Sequence, residues 1–252
     1  MDYALSRLQA RFGEFPDELL WQRLEGSPEP AATLAIAESC GLRRWVAAIT
    51  PHADKHEIEI ALRARWRDCV SEIACWMPSN WQAALLWTRE LADLPALMYL
   101  AQGGAPLPWM FGDPVLQVYA RADSATRETM LREDERILIG SSFEALDASV
   151  PITMPGPSPI SQAWLAEWRR RWPRWIDTAA LEELARLFDS AMKQPALLGR
   201  PELVRKLRIL FRRSALHPVL VFIYIAFAAL TLQRLGAGLM KHALAHEGII
   251  PS

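Results

Sequence analysis

Residues 56–77 read HEIEIALRARWRDCVSEIACWM, and the spacing inside this stretch decides the fold class. Ile58, Leu62, Trp66, Cys69, Val70, Ile73 and Met77 recur at steps of three and four, which places them on one face of a helix. Arg63, Arg65, Arg67, Asp68 and Glu72 fall on the other faces, where water can solvate them. Pro78 stops the helix, because proline lacks the amide hydrogen a helix interior needs. Asn80 reads as the N-cap of a second helix, Trp81–Gln102, which Pro95 is expected to kink or break.

The same grammar extends in both directions. Upstream, Pro16 opens a helix carrying Leu19, Leu20 and Leu24, and Gly26-Ser27-Pro28 ends it; Ala31–Cys40 forms another, closed by Gly41. Asp54, Glu57 and Glu59 stand near the start of the 56–77 helix, where acidic side chains suit the helix dipole. Downstream, the run from Gly103 to Pro108 is a connector. Asp113-Pro114 then resembles an N-cap with proline at the first helical position, and helices are expected over 114–121 and 124–139. Ser141 and Glu144 fit a capping box. Pro151 to Pro159 holds four prolines and a glycine in nine residues, which excludes helix and central strand. Helices follow over Trp164–Trp175, Thr178–Lys193, from Pro201 to a break at His217-Pro218, and Pro218–His246. The expected fold is therefore all-α: a multi-helix bundle of two or three helical subdomains. Its parts are an N-terminal lobe over 1–102, a middle segment over 103–150, a Pro-rich linker over 151–160 and a C-terminal lobe over 161–252.

The totals agree. Hydrophobic residues make up 51% of the 252 and charged residues 23%, a globular balance. There are 28 basic and 29 acidic residues, so no overall field gathers nucleic acid. Only 12 residues are glycine while 11 are tryptophan, which favours helix and supplies large apolar plates. Cys40, Cys69 and Cys75 form no CxxC pair, and the first residues lack the basic start and apolar core of a secretory signal. The expected compartment is the cytoplasm.

From Ser214 to Gln233 no residue carries a formal charge. Twenty such residues are about long enough to cross a bilayer. The strictly apolar centre, Val219 to Leu230, is short for crossing and ordinary for a buried core helix, which is the expected reading.

Reactive constellations are sparse. His52 and His56, and His242 and His246, sit four apart, a spacing that can chelate a metal on one helix face. Neither pair carries the Glu of HExxH, and exposed helix ends are the other reading. Glu133-Asp134-Glu135 reads as a solvated run. No phosphate-binding glycine loop and no nucleophile elbow occurs. No catalytic, cofactor-binding or metal-ligating residue is assigned, and no cofactor is expected.

Two basic patterns stand out as candidate partner contacts. Trp164, Trp168, Trp172 and Trp175 form a stripe interleaved with Arg169, Arg170, Arg171 and Arg174. Such a helix docks into a core, meets a protein partner, lies on a membrane or stacks nucleic-acid bases. Arg200, Arg205, Lys206, Arg208, Arg212 and Arg213 form a second cluster, over an inner face of Leu203, Leu207, Leu210 and Phe211. It suits an acidic partner or lipid head groups. The contact residues singled out are Trp164, Trp168, Arg169, Arg170, Trp172, Arg205, Arg208 and Arg212.

The opening Tyr3-Ala4-Leu5-Ser6-Arg7-Leu8-Gln9-Ala10-Arg11 resembles the start of the C/d-subunit family of the V-type and A-type ATPases. Ala61-Leu62-Arg63 in the long helix, Glu90 to Leu97, and the proline-led helix with Pro218, Tyr224, Leu232 and Leu235 stand where that family has matching helices. Pro95, Ala229 and Thr231 depart from its pattern. The resemblance implies an all-helical funnel and a non-catalytic connector that joins the central stalk to the membrane proteolipid ring, on the cytoplasmic face. Its implied partners are other protein subunits. The alternatives are a peripheral membrane protein using its Trp/Arg and apolar C-terminal helices, and a helical metalloenzyme.

Overall fold

A computed structural model describes residues 1–134, 159–174, 177–193 and 200–246, and every described element is helical. In chain order the helices are α1 (Asp2–Phe12), α2 (Glu18–Glu25), α3 (Pro30–Glu38), α4 (Arg43–Val46), α5 (Lys55–Trp76), α6 (Ser79–Arg89), α7 (Leu94–Ala101), α8 (Gln117–Arg121), α9 (Ser124–Glu133), α10 (Pro159–Arg170), α11 (Ala179–Lys193), α12 (Arg200–Arg213) and α13 (Val219–His246). Short 3-10 turns occupy Glu90–Ala92 and Pro108–Phe111. The protein is an all-α multi-helix bundle.

The helix read from residues 56–77 is α5. Its start is fixed by a capping box: the Asp54 carboxylate accepts from the His56 and Glu57 amides, and the Glu57 side chain accepts from the Asp54 amide. Three amide donors at the helix end are thereby satisfied. The next helix differs from expectation. Ser79, not Trp81, begins it, with Pro78 at the cap position, so Asn80 lies inside the first turn. It ends at Arg89. Pro95 then sits in the first turn of a separate helix, α7, where its missing amide costs nothing. Proline here starts a helix and does not kink one.

α5 and α13 form the centre. α13 packs against α1, α3, α5, α11 and α12, while α5 packs against α1, α4, α6 and α13. Val219, Leu220, Val221, Ile223 and Tyr224 are all fully buried. The stretch Val219–Leu244 is long and apolar enough to cross a membrane, with a mean hydropathy of 1.8, yet here it supplies the spine of the bundle. Close crossing of the two central helices uses a small residue: a Cβ on Gly236 would stand 3.0 Å from Leu62 Cδ1.

One large core takes in α1 to α6 together with α10 to α13, so the segments 1–102 and 161–252 do not form separate cores. A second, smaller core lies within residues 96–131, where Leu97, Leu100, Met110, Leu116, Tyr119 and Leu131 close on one another. Most of the Pro-rich linker, the Ser141/Glu144 capping box, Glu135 with the end of the 124–139 helix, and Trp175 lie outside the described residues.

Candidate docking surface and buried charge centre

The tryptophan stripe points inward. α10 lays Trp164, Trp168 and Trp172 against α6, α11 and α13, and all three are buried, Trp168 to 1% exposure. Trp164 stacks on Trp87 at 6.2 Å and on Trp168 at 6.4 Å, while Trp168 meets Trp172 edge-on at 5.0 Å and Phe222 at 5.1 Å. The Trp87 indole also donates to the Trp164 carbonyl at 3.2 Å. These tryptophans are thus not partner contacts; their area is consumed in joining α10 to the core, where each aromatic pair gains about 0.5–1.5 kcal/mol beyond burial.

The arginines of the same helix are turned outward but occupied. Arg169 Nε donates to Glu182 at 3.3 Å and so ties α10 to α11. Arg170 and Arg171 both grip the buried Glu167, at 2.5–2.7 Å. The hydrogen bond from Arg170 leads in holding the Glu167 carboxyl below its ordinary range, against the opposing cost of burial. Arg171 also lies over the Trp87 ring at 4.3 Å.

α12 presents a different picture. Leu207, Leu210 and Phe211 are buried, and Phe211 stacks on Phe12 at 3.7 Å. The outer face carries Arg205, Lys206, Arg208, Ile209, Arg212 and Arg213, all exposed. Arg205 pairs with Glu202 one turn away at 2.7 Å, Lys206 reaches the same carboxylate at 3.9 Å, and Arg213 meets Glu183 at 3.4 Å. Arg208 and Arg212 make no ion pair among the described residues. Of the eight singled-out residues, α12 therefore brings Arg205, Arg208 and Arg212 together on one open surface, while the other five belong to α10 and its junctions.

A centre that the hydrophobic pattern did not disclose lies between the two cores. Arg63 and Arg67, one turn apart on α5, are buried together with Asp93 and Asp113. Arg63 reaches Asp93 at 2.6 Å and Asp113 at 3.1 Å; Arg67 reaches Asp93 at 2.5 Å and Asp113 at 2.9 Å. Arg63 also donates to the Ala92 carbonyl at 2.5 Å and lies 4.8 Å from the centre of the Trp109 ring. Asp113, wholly buried, further accepts from the amides of Val115 and Leu116 and so holds the turn leading into α8; the helix begins at Gln117 with Leu116 at its cap position, three residues later than the expected start at Pro114. Burial pushes its carboxyl up, but the Arg67 hydrogen bond and the two amides more than offset this and hold it below the ordinary range. Two cations and two anions balance one another here away from solvent, with the partly exposed Glu59 a third carboxylate 3.5 Å from Arg63, and together they fasten α5 to the turns that carry Asp93 and Asp113.

The histidines converge only in part. His52 and His242 line one cleft of about 150 Å³ with Leu34, Ile49, Asp54 and Leu239. His242 Nε2 lies 3.2 Å from Thr33 Oγ1, and burial, with Lys241 nearby, lowers its pKa. Asp54 is spent as a helix cap, and the His246 side chain lies outside the described residues. Among the described residues no group of three or more His, Cys, Asp or Glu stands close enough to hold a metal. Cys69 is buried and its thiol is pushed up to about 12 by loss of solvation, which makes it inert.

Comparison with protein-family models, with curated proteins and with solved structures finds no match.

Proposed function

We propose that this chain is a non-catalytic connector that works by docking, of the rotary-ATPase kind its sequence resembles, with the outer face of α12 as its working surface. The observation that carries the reading is the division of labour among the cations. Arg63, Arg67, Arg171 and Arg234 are committed to internal partners, whereas the α12 face holds five exposed cations, of which Arg208 and Arg212 make no ion pair among the described residues. A rigid helix that leaves cations unneutralised is arranged to meet something negative outside the chain. The rotary ATPase as the host complex is supported by the sequence resemblance alone. Lipid binding through the tryptophan stripe is disfavoured, since those rings are buried.

The test is a mild-detergent pull-down of the tagged full chain from its native cell, beside the triple variant R205E/R208E/R212E. Proteolipid or central-stalk proteins recovered with the natural sequence and lost with the variant support the proposal. A different reproducible set removes the ATPase; the bait alone removes the connector.

A further inference from the structure

We infer that the outer face of α12, with Leu216 at its end, seats on an anionic lipid surface. The inference rests on reading that face as the docking surface and names what it meets. Along the exposed side of α12, Arg205, Ile209 and Arg212 follow at steps of four and three, which aligns them in one row, and Leu216 stands in the turn that follows the helix. Ile209 is 44% exposed and Leu216 is 89% exposed, the largest value among the exposed apolar residues. Arg208 flanks the row on one side, and Lys206 and Arg213 flank it on the other, by the helical projection of α12.

Leu216 is held out, not loosely attached. Gln9 of α1 donates to the Ala215 carbonyl at 2.6 Å, the His217 amide donates to Ser214 at 2.9 Å, and the Val219 amide donates to His217 Nδ1 at 3.1 Å. Ser214 itself is buried. The turn therefore presents a leucine to the outside while its backbone is tied to α1 and to the start of α13. Glu202 and Glu183 answer Arg205, Lys206 and Arg213, but Arg208 and Arg212 make no ion pair among the described residues, and Glu18, near Arg208, is already bound by Arg234 at 2.8 Å.

This geometry is the one a lipid interface selects. The apolar side chains enter the region below the head groups, and long cationic side chains on both flanks reach back to the phosphates. An acidic protein would satisfy the arginines, but it would also need a pocket for a leucine that stands clear of its own fold. Each cation near an anionic leaflet strengthens binding by about fivefold, corresponding to roughly 1 kcal/mol.

The experiment sediments the full chain with vesicles of equal parts phosphatidylcholine and phosphatidylglycerol, and with phosphatidylcholine alone. The natural sequence is expected on the mixed vesicles only, and to leave them as salt rises. R208Q/R212Q is expected to bind roughly 30-fold more weakly, R208K/R212K to retain binding, and L216S to weaken it about tenfold with an unchanged circular dichroism spectrum. Sedimentation equal for R208Q/R212Q and the natural sequence overturns the inference, as does failure of the natural sequence to sediment. If vesicles are ignored while R205E/R208E/R212E still loses its protein partners, lipid is refuted and the docking face stands. If neither readout responds to the arginines, both fall.

Discussion

Replacing Asp113 by asparagine is the sharpest test of how the two cores are joined. The side chain is nearly isosteric, so shape is kept. What disappears is one of the two buried negative charges facing Arg63 and Arg67, whose guanidinium groups lie 3.1 and 2.9 Å away, while the partly exposed Glu59, 3.5 Å from Arg63, stays. All four partners are almost fully removed from solvent, so the remaining excess positive charge has no water to turn to. Removing one partner of a buried pair costs about 3–5 kcal/mol, several times the cost at a surface. For a chain of this length that lowers the melting temperature by roughly 10 °C. The assay is urea unfolding followed by circular dichroism, with hydrogen exchange to locate the loss. Exchange should rise first over residues 94–131, because Asp113 and Asp93 hold that smaller core to α5.

Two controls bind the reasoning to charge. Asp113 is held below its ordinary pKa, so its contribution is fully present above the unfolded value of about 3.9 and fades as pH falls through the folded value. The gap between the natural sequence and D113N should therefore be widest at neutral pH and shrink in acid. Adding R67M to D113N restores neutrality, and the double variant should be more stable than the two single losses added together. A D113N cost below about 1 kcal/mol, or strict additivity with R67M, would refute the account.

Trp168→Ala empties the middle of the aromatic stack and should cost about 3–5 kcal/mol in the same unfolding assay. Tyr224→Phe removes the hydroxyl that accepts from Arg44 at 2.7 Å, leaving a part-buried cation short of a partner; the expected loss is about 1–3 kcal/mol, read by thermal melting. Alkylation of the native protein at neutral pH should label exposed Cys75 readily and leave Cys69 unmodified until urea unfolds the chain, as peptide mass mapping will report.

How far the sequence disclosed this molecule depended on the range of the interaction. α5 was legible because its apolar spacing and its Asp54 and Glu57 start signals are local, and local rules are enough to form a capped helix. The α6–α7 region was less so: a proline inside a helical pattern is compatible with a kink or with a new start, and only the preceding 3-10 turn decides. Arg63 and Arg67 were assigned to water by their charge, yet both are buried. The buried arc of α5, from the line of Ile58 and Cys69 round to Arg67, covers about half its circumference. That width comes from being packed by α13 on one side and by α6 and the Pro108–Phe111 turn on the other. The balancing acids stand 26 to 50 positions away, beyond any helical periodicity. One local clue existed: Asp93 and Asp113 both sit at helix-start breaks, each just before a proline-containing first turn.

The α12 surface was visible in the sequence as a basic cluster, but its distinction from the α10 cluster was not. Both helices alternate large apolar residues with arginines, and both bury an apolar face, though α12 leaves Ile209 outside. What separates them is the number of acids within reach. On α10, Glu167 lies three and four residues before Arg170 and Arg171, and Glu182 arrives from α11 to meet Arg169, so the arginines stabilise the bundle that buries the tryptophans. On α12, Glu202 takes Arg205 and Lys206, and among the described residues no acid pairs with Arg208 or Arg212. A chain with 28 basic and 29 acidic residues has enough carboxylates to answer these two as well. Among the described residues none does, and beside them Ile209 and a leucine held outward by Gln9 expose apolar surface that costs the isolated protein solubility. Such an arrangement gains its advantage only when an anionic surface completes it, and this argument points to α12 in preference to the more conspicuous tryptophan helix.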